Sequence, residues 1–135
     1  MAEKGFPVEV VTPNRVVYAG EVSSLRAPGV EGDFEVLIGH IPFLTVLRVG
    51  RLTIREGGHQ MHYAVSGGFV EVLRHRVTVI AESAERAQEI DVERARQAEV
   101  RARQRLAERA AHVDLVRAQA SLSRALNRLK VAGQM

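Results

Sequence analysis

Residues 77–98 read Val77-Thr78-Val79-Ile80-Ala81-Glu82-Ser83-Ala84-Glu85-Arg86-Ala87-Gln88-Glu89-Ile90-Asp91-Val92-Glu93-Arg94-Ala95-Arg96-Gln97-Ala98, and the chain changes character within them. The first four are β-branched and suit a short strand. From Asp91 onward the apolar positions recur at three and four, which is the period of a helix. The composition breaks at the same place, near residue 85. All six aromatics, all four prolines and ten of the eleven glycines fall in residues 1–85. Those residues carry 8 Lys+Arg against 10 Asp+Glu, a net of −2, whereas residues 86–135 carry 11 against 6, a net of +5. Two parts are expected: 1–85 and 86–135.

Upstream of the break the chain is a series of short β-prone runs between turn residues. Val8-Glu9-Val10-Val11 precedes Thr12-Pro13-Asn14, and Glu21-Val22-Ser23-Ser24-Leu25-Arg26-Ala27 precedes Pro28-Gly29. Leu52-Thr53-Ile54-Arg55 and Met61-His62-Tyr63-Ala64-Val65 flank Gly57-Gly58, a dipeptide that supplies the positive φ of a tight hairpin. Phe69-Val70-Glu71-Val72-Leu73 and Val77-Thr78-Val79-Ile80 enclose Arg74-His75-Arg76, a second hairpin. Strands so short and so spaced predict an antiparallel sandwich or barrel, rather than βαβ units, with a Val, Leu, Ile and Phe core. Ser66-Gly67-Gly68 lacks the Lys of a phosphate loop and is expected to form a bend or bulge.

Downstream, no proline occurs, and no glycine precedes Gly133. Asp91 suits an N-cap, with Glu93 in the first turn. Ala95, Ala98, Ala102, Leu106 and Ala110 form one stripe. His112-Val113-Asp114 reads as a turn, and Leu115, Ala118, Leu122, Ala125 and Leu129 form a second stripe, reinforced by Val116 and Leu126. Two helices joined this closely should lie antiparallel. The first presents mostly alanine, so the pair buries little: a buried Leu contributes ~1.5–3 kcal/mol, and each methylene removed forfeits ~0.8. Good intrinsic helices with a thin interface predict a mobile hairpin. The fold class is therefore α+β.

Several functions are excluded or unsupported. With no cysteine, disulfides and thiolate chemistry are absent. The histidines are scattered, no HExxH or G-x-S-x-G occurs, and neither a metal site nor an enzyme is expected. No stretch approaches the ~18–20 apolar residues of a membrane span. The first residues lack the apolar core of a signal peptide, which points to a cytosolic chain. Arginine makes up 17 of the 19 basic residues. On the helices they form either a solvated face with pairs such as Glu99 with Arg103 or Arg105 with Glu108, or an anion site, since the planar fork of Arg fits phosphate and carboxylate. Arg124 and Arg128 lie one turn apart.

The order of parts and several runs resemble the epsilon subunit of the bacterial F-type ATP synthase. The most specific run is Ala27-Pro28-Gly29-Val30-Glu31-Gly32-Asp33-Phe34-Glu35-Val36-Leu37-Ile38-Gly39-His40-Ile41-Pro42-Phe43-Leu44-Thr45, followed by Val65-Ser66-Gly67-Gly68-Phe69-Val70-Glu71-Val72 and Ile90-Asp91-Val92-Glu93-Arg94-Ala95. The resemblance covers nearly the whole chain. It implies an antiparallel β-sandwich of about ten strands and a two-helix hairpin. It also implies a non-catalytic rotor subunit at the cytoplasmic face of the bacterial membrane, peripheral to it. There the sandwich would contact the gamma subunit and c-ring, coupling proton or sodium translocation to ATP synthesis. The hairpin would extend toward the alpha and beta subunits and restrain ATP hydrolysis.

Residue roles follow from the same resemblance. Thermophilic bacterial members bind ATP through an I-D-x-x-R-A motif, matched by Ile90, Asp91, Arg94 and Ala95, with Glu85, Arg101, Arg124 and Arg128 at the other corresponding positions. ATP, with or without Mg, is the implied regulatory ligand and favours the folded hairpin; no cofactor is required. Glu31, Asp33 and His40 are implied c-ring and gamma contacts. Arg103, Arg105, Arg109, Arg117, Arg124, Arg128 and Lys130 are candidates for meeting the catalytic head. The rival reading is a small basic nucleic-acid-binding module using the hairpin. No aromatic follows Phe69 to provide a stacking platform for it.

Overall fold

The computed structural model describes residues 5–108 and 114–135, which divide into two units, Met1–Arg86 and Ala87–Met135. In the first, eight strands follow one another: β1 (Phe6–Val11), β2 (Val16–Val22), β3 (Ser24–Gly29), β4 (Gly32–Leu37), β5 (Phe43–Glu56), β6 (His59–Val72), β7 (Val77–Ala81) and β8 (Ala84–Arg86). The two hairpins form at the expected residues. Gly57 adopts φ 60 in the two-residue turn between β5 and β6. At the other, the Leu73 amide donates to the Arg76 carbonyl at 2.9 Å.

Hydrogen bonding orders the strands β2-β1-β7-β6-β5-β3-β4, with β8 also on β6. Buried side chains of all eight strands share one core, so the sheet is folded over itself as a sandwich. Along β1 the burial alternates, with Phe6, Val8 and Val10 inward. The eight strands roughly match the expected number, and two details of the sheet differ from expectation. β5 and β6 run fourteen residues each, so runs that look separate in sequence are halves of one strand. Their pairing passes from Leu47↔Gly68 to Val49↔Ser66, and Gly67 and Gly68 take φ 96 and 122 there. The register is the same on both sides of the two glycines, so the bulge expected at Ser66-Gly67-Gly68 does not form and one strand runs through them. Secondly, β1 pairs with β7 in parallel, Val8 facing Val77, so the sheet is not wholly antiparallel.

One hydrogen bond links strands that share no ladder. The Tyr18 hydroxyl on β2 donates to Glu56 Oε2 at the end of β5, at 2.6 Å. Burial first, and then the Glu56 carboxylate, hold the phenol above its ordinary pKa of 10.0. The unfolded phenol ionises at about 10 and the folded one higher, so stability should fall as pH rises above about 10. Thermal melts across that range should show a shallower decline for Tyr18→Phe.

The second unit opens with a 3-10 turn (Ala87–Glu89) and contains α1 (Val92–Glu108) and α2 (Leu115–Val131). Asp91 caps α1 by accepting the Arg94 amide at 3.1 Å, and Asp114 caps α2 by accepting the Arg117 amide at 3.0 Å. The end of α2 is closed by Gly133 at φ 80 and by the Gln134 amide donating to the Leu129 carbonyl at 2.8 Å. Arg96 Nη2 then donates to Gln134 Oε1 at 2.8 Å, joining the end of α2 to the start of α1. Ala95, Ala102, Ala118, Leu122, Ala125 and Leu129 are buried. Leu115 and Val116, expected in the second stripe, are instead 45% and 81% exposed. Ala110 and the His112-Val113 part of the expected turn lie outside the described residues.

Candidate functional site

Small side chains decide the shape of the hairpin. Ala98 and Ala102 on α1 and Ala125 on α2 leave a cleft of about 170 Å³ between the helices. Four arginines line it, Arg101 and Arg105 from α1 and Arg124 and Arg128 from α2, together with Ser121. No carboxylate is among the described lining residues. Four guanidiniums above an alanine floor repel one another unless an anion lies between them. Each offers a planar fork of donors to an oxyanion. The arrangement, contributed by both helices, has the chemistry to accept an oxyanion.

Arg101, Arg124 and Arg128 therefore meet in one cleft, and Arg105 joins them. Arg105 does not make the expected pair with Glu108; the Glu99–Arg103 pair does form, with Arg103 Nε donating to Glu99 Oε2 at 2.9 Å. Ser121 was not visible as a site residue in the sequence. Its place depends on which turn of α2 faces α1, and a single helix does not reveal that.

Ile90, Asp91, Arg94 and Ala95 lie at the start of α1 and do not line the cleft. Ile90 and Ala95 are buried, and Asp91 accepts the Arg94 amide. Glu85 stands on β8, paired with Ala64, in the first unit. Of the remaining basic candidates, Arg117 lies in the exposed first turn of α2, and Lys130 is exposed near its end. Arg109 lies outside the described residues.

On the sandwich, Val30 and Glu31 form the exposed turn between β3 and β4. Asp33 pairs with Arg48, both about half exposed, so this link orders the turn more than it stabilises the fold. His40 is held at both ring nitrogens: Nδ1 lies 2.7 Å from the Leu37 carbonyl and Nε2 2.7 Å from the Leu73 carbonyl. Its ring also meets the edge of Phe6 at 5.2 Å. His40 thus ties its loop to the end of β6. Beside Glu31 runs an apolar groove of about 460 Å³ lined by Val30, Leu44, Thr45, Val46 and Phe69. Leu37, Ile38, Ile41 and Phe43 are exposed as well. Exposed apolar surface on this scale suits a docking face.

Among the described residues the other histidines do not gather. His62 faces Thr53 Oγ1 at 3.0 Å, and burial first, then Arg51, lowers its pKa. Among the described residues no cluster of His, Asp or Glu suits a metal ion, and no helix is long and apolar enough to cross a membrane.

A β-sandwich followed by a helical hairpin with an anion cleft defines the class: a two-part protein whose chemistry lies in recognition. Residues 5–87 match the family described as ATP synthase, Delta/Epsilon chain, beta-sandwich domain, and residues 88–133 match its long alpha-helix domain. The chain belongs to this family, on the bacterial F-type epsilon side. It is 52% identical to the ATP synthase epsilon chain of Nitratidesulfovibrio vulgaris (strain DP4), over 97% of this chain and 98% of that one. It is 54% identical to the epsilon chain of Pelotomaculum thermopropionicum, over 99% of this chain and all of that one. The fold is shared with a chain of the Euglena gracilis mitochondrial ATP synthase (TM-score 0.83, 23% identity, 98% of this chain and 83% of that one). A chain of the Tetrahymena thermophila mitochondrial ATP synthase, central stalk and c-ring, is more distant (TM-score 0.60, 15% identity, 98% of this chain and 99% of that one). Epsilon chains are non-catalytic subunits of the synthase.

Proposed function

We propose that this epsilon chain is a rotor subunit of the central stalk whose hairpin restrains ATP hydrolysis and is held folded by ATP. The observation that carries this reading is the cleft of four arginines drawn from both helices. At about 170 Å³ it is smaller than a site enclosing a whole drug-sized ligand, which suits the phosphate chain alone. Arg101, Arg124 and Arg128 hold the phosphates, with Arg105 beside them. Ribose and base extend toward the start of α1, where Ile90, Asp91, Arg94 and Ala95 match the family's ATP motif; Glu85 belongs to the same motif set.

ATP bound to both helices favours the folded hairpin over an extended one by the ligand's difference in affinity for the two. Without it, the thin alanine interface is the main restraint on opening. The opened arm offers Arg103, Arg105, Arg109, Arg117, Arg124, Arg128 and Lys130 to acidic segments of the alpha and beta subunits. Exposed ion pairs contribute only ~0.2–1 kcal/mol each, so several act together. The sandwich carries the other half of the task. Its apolar face, with Glu31, Asp33 and His40 around it, contacts the gamma subunit and c-ring and so places the chain peripherally at the membrane.

The test is hydrolysis by the assembled synthase, with the full chain and with residues 87–135 deleted. At low ATP the truncated form should hydrolyse faster, and the difference should shrink as ATP rises. Equal rates at every ATP concentration contradict the reading.

A further inference from the structure

Among the described residues that line the cleft, one side chain is polar and uncharged, Ser121. It is half-buried, and Arg124 Nη2 donates to its Oγ at 3.1 Å, one turn back along α2. An arginine on an exposed helix face has a long stem with many rotamers, and ordering it costs entropy when a ligand arrives. Anchoring one arm of the guanidinium beforehand removes part of that cost and leaves its other donors for the ligand. A hydroxyl that accepts through oxygen still has its own hydrogen to donate.

The position along the cleft fixes which phosphate that hydrogen meets. Contact between Arg96 and Gln134 brings the start of α1 to the end of α2, so the helices run antiparallel. Ser121 lies toward the start of α2 and Arg128 toward its end. With the base at the start of α1, the phosphate chain runs from the Arg101 and Arg128 end toward the Arg105 and Ser121 end.

We infer that Ser121 is a positioning residue of the nucleotide site: its oxygen aims Arg124 and its O–H donates to the terminal phosphate, so that it helps distinguish a triphosphate from a diphosphate. The assignment rests on the ATP reading above.

Calorimetric titration of the full chain with ATP and with ADP tests it. Ser121→Ala should weaken ATP binding roughly 3- to 10-fold and ADP binding less than about twofold. Ser121→Thr, which keeps the hydroxyl, should restore the ATP value. Alanine is the better helix former, so loss of the helix does not explain such a change, and circular dichroism should show helix content equal to wild type or higher. Unchanged ATP affinity in Ser121→Ala, with weakened binding in Arg124→Ala, overturns the role of Ser121 and leaves the ATP site standing. Equal losses for ATP and ADP, or no rescue by threonine, also overturn it. No ATP binding by the wild-type chain overturns the ATP reading and this assignment together.

Discussion

Replacing Arg101 and Arg124 together with alanine should weaken ATP binding by about 30-fold or more, measured by calorimetry on the full chain. The two side chains come from different helices and line one cleft. A hydrogen bond to a charged group contributes about 1.5–3 kcal/mol. Solvent screening at these exposed positions lowers that to about 1 kcal/mol each. Two such losses, about 2 kcal/mol, correspond to roughly 30-fold. Alanine raises intrinsic helix propensity, so the helices should remain formed. The remaining affinity should fall less steeply with salt than that of the wild type, because fewer exposed charges take part. Affinity within threefold of wild type would remove the cleft from the account.

Gly68→Ala should be the most damaging single change in the sandwich. Gly68 sits at φ 122, which L side chains rarely adopt, and a Cβ there would lie 2.0 Å from the Ile80 carbonyl oxygen of the neighbouring strand. Backbone strain of about 1–3 kcal/mol and overpacking of about 1–3 kcal/mol both apply. Their sum, roughly 2–6 kcal/mol, is a large part of the ~5–15 kcal/mol that stabilises a typical domain. The melting temperature should drop by roughly 15–30 °C. Gly67→Ala separates the two causes. Gly67 has φ 96, but its Cβ would come no nearer than 3.6 Å to the Glu82 carboxylate, so only the conformational cost applies. Equal melting temperatures for the two variants would show that the approach of Ile80 is not what demands glycine.

What the residues reveal in advance, and what they hide, follows from the range of the interaction concerned. Gly57-Gly58, Arg74-His75-Arg76, Asp91 and Asp114 act on backbone within a few positions, and each turn or cap is legible from its own neighbours. The parallel pairing of Val8 with Val77 is not legible, because it depends on where the intervening strands carry the chain. Nor is the continuity of β5 and β6. A glycine pair looks like an interruption until the partner strand shows one register running unbroken past it. Leu115 and Val116 fit a helical stripe by spacing alone, yet are exposed, since spacing does not say whether a position meets a partner. The cleft was half visible: Arg124 and Arg128 share a face by their own spacing. That Arg101 and Arg105 face them requires the register of two helices whose alanine faces specify it weakly.

The central claim is that ATP closes the hairpin, and the separation of the two helices tests it most directly. The chain contains no cysteine, so Gln97→Cys and Lys130→Cys can carry a pair of spin or fluorescent labels at exposed sites on α1 and α2. In the folded hairpin these positions lie near one another. In a continuous extended helix the 33 residue steps from Gln97 to Lys130 would span ~50 Å at ~1.5 Å per residue. Saturating ATP should shift the distance distribution of the full chain toward the short separation. Arg101→Ala with Arg124→Ala should abolish that shift. A distribution that ATP leaves unchanged, in a chain that calorimetry shows to be saturated with it, would contradict the account.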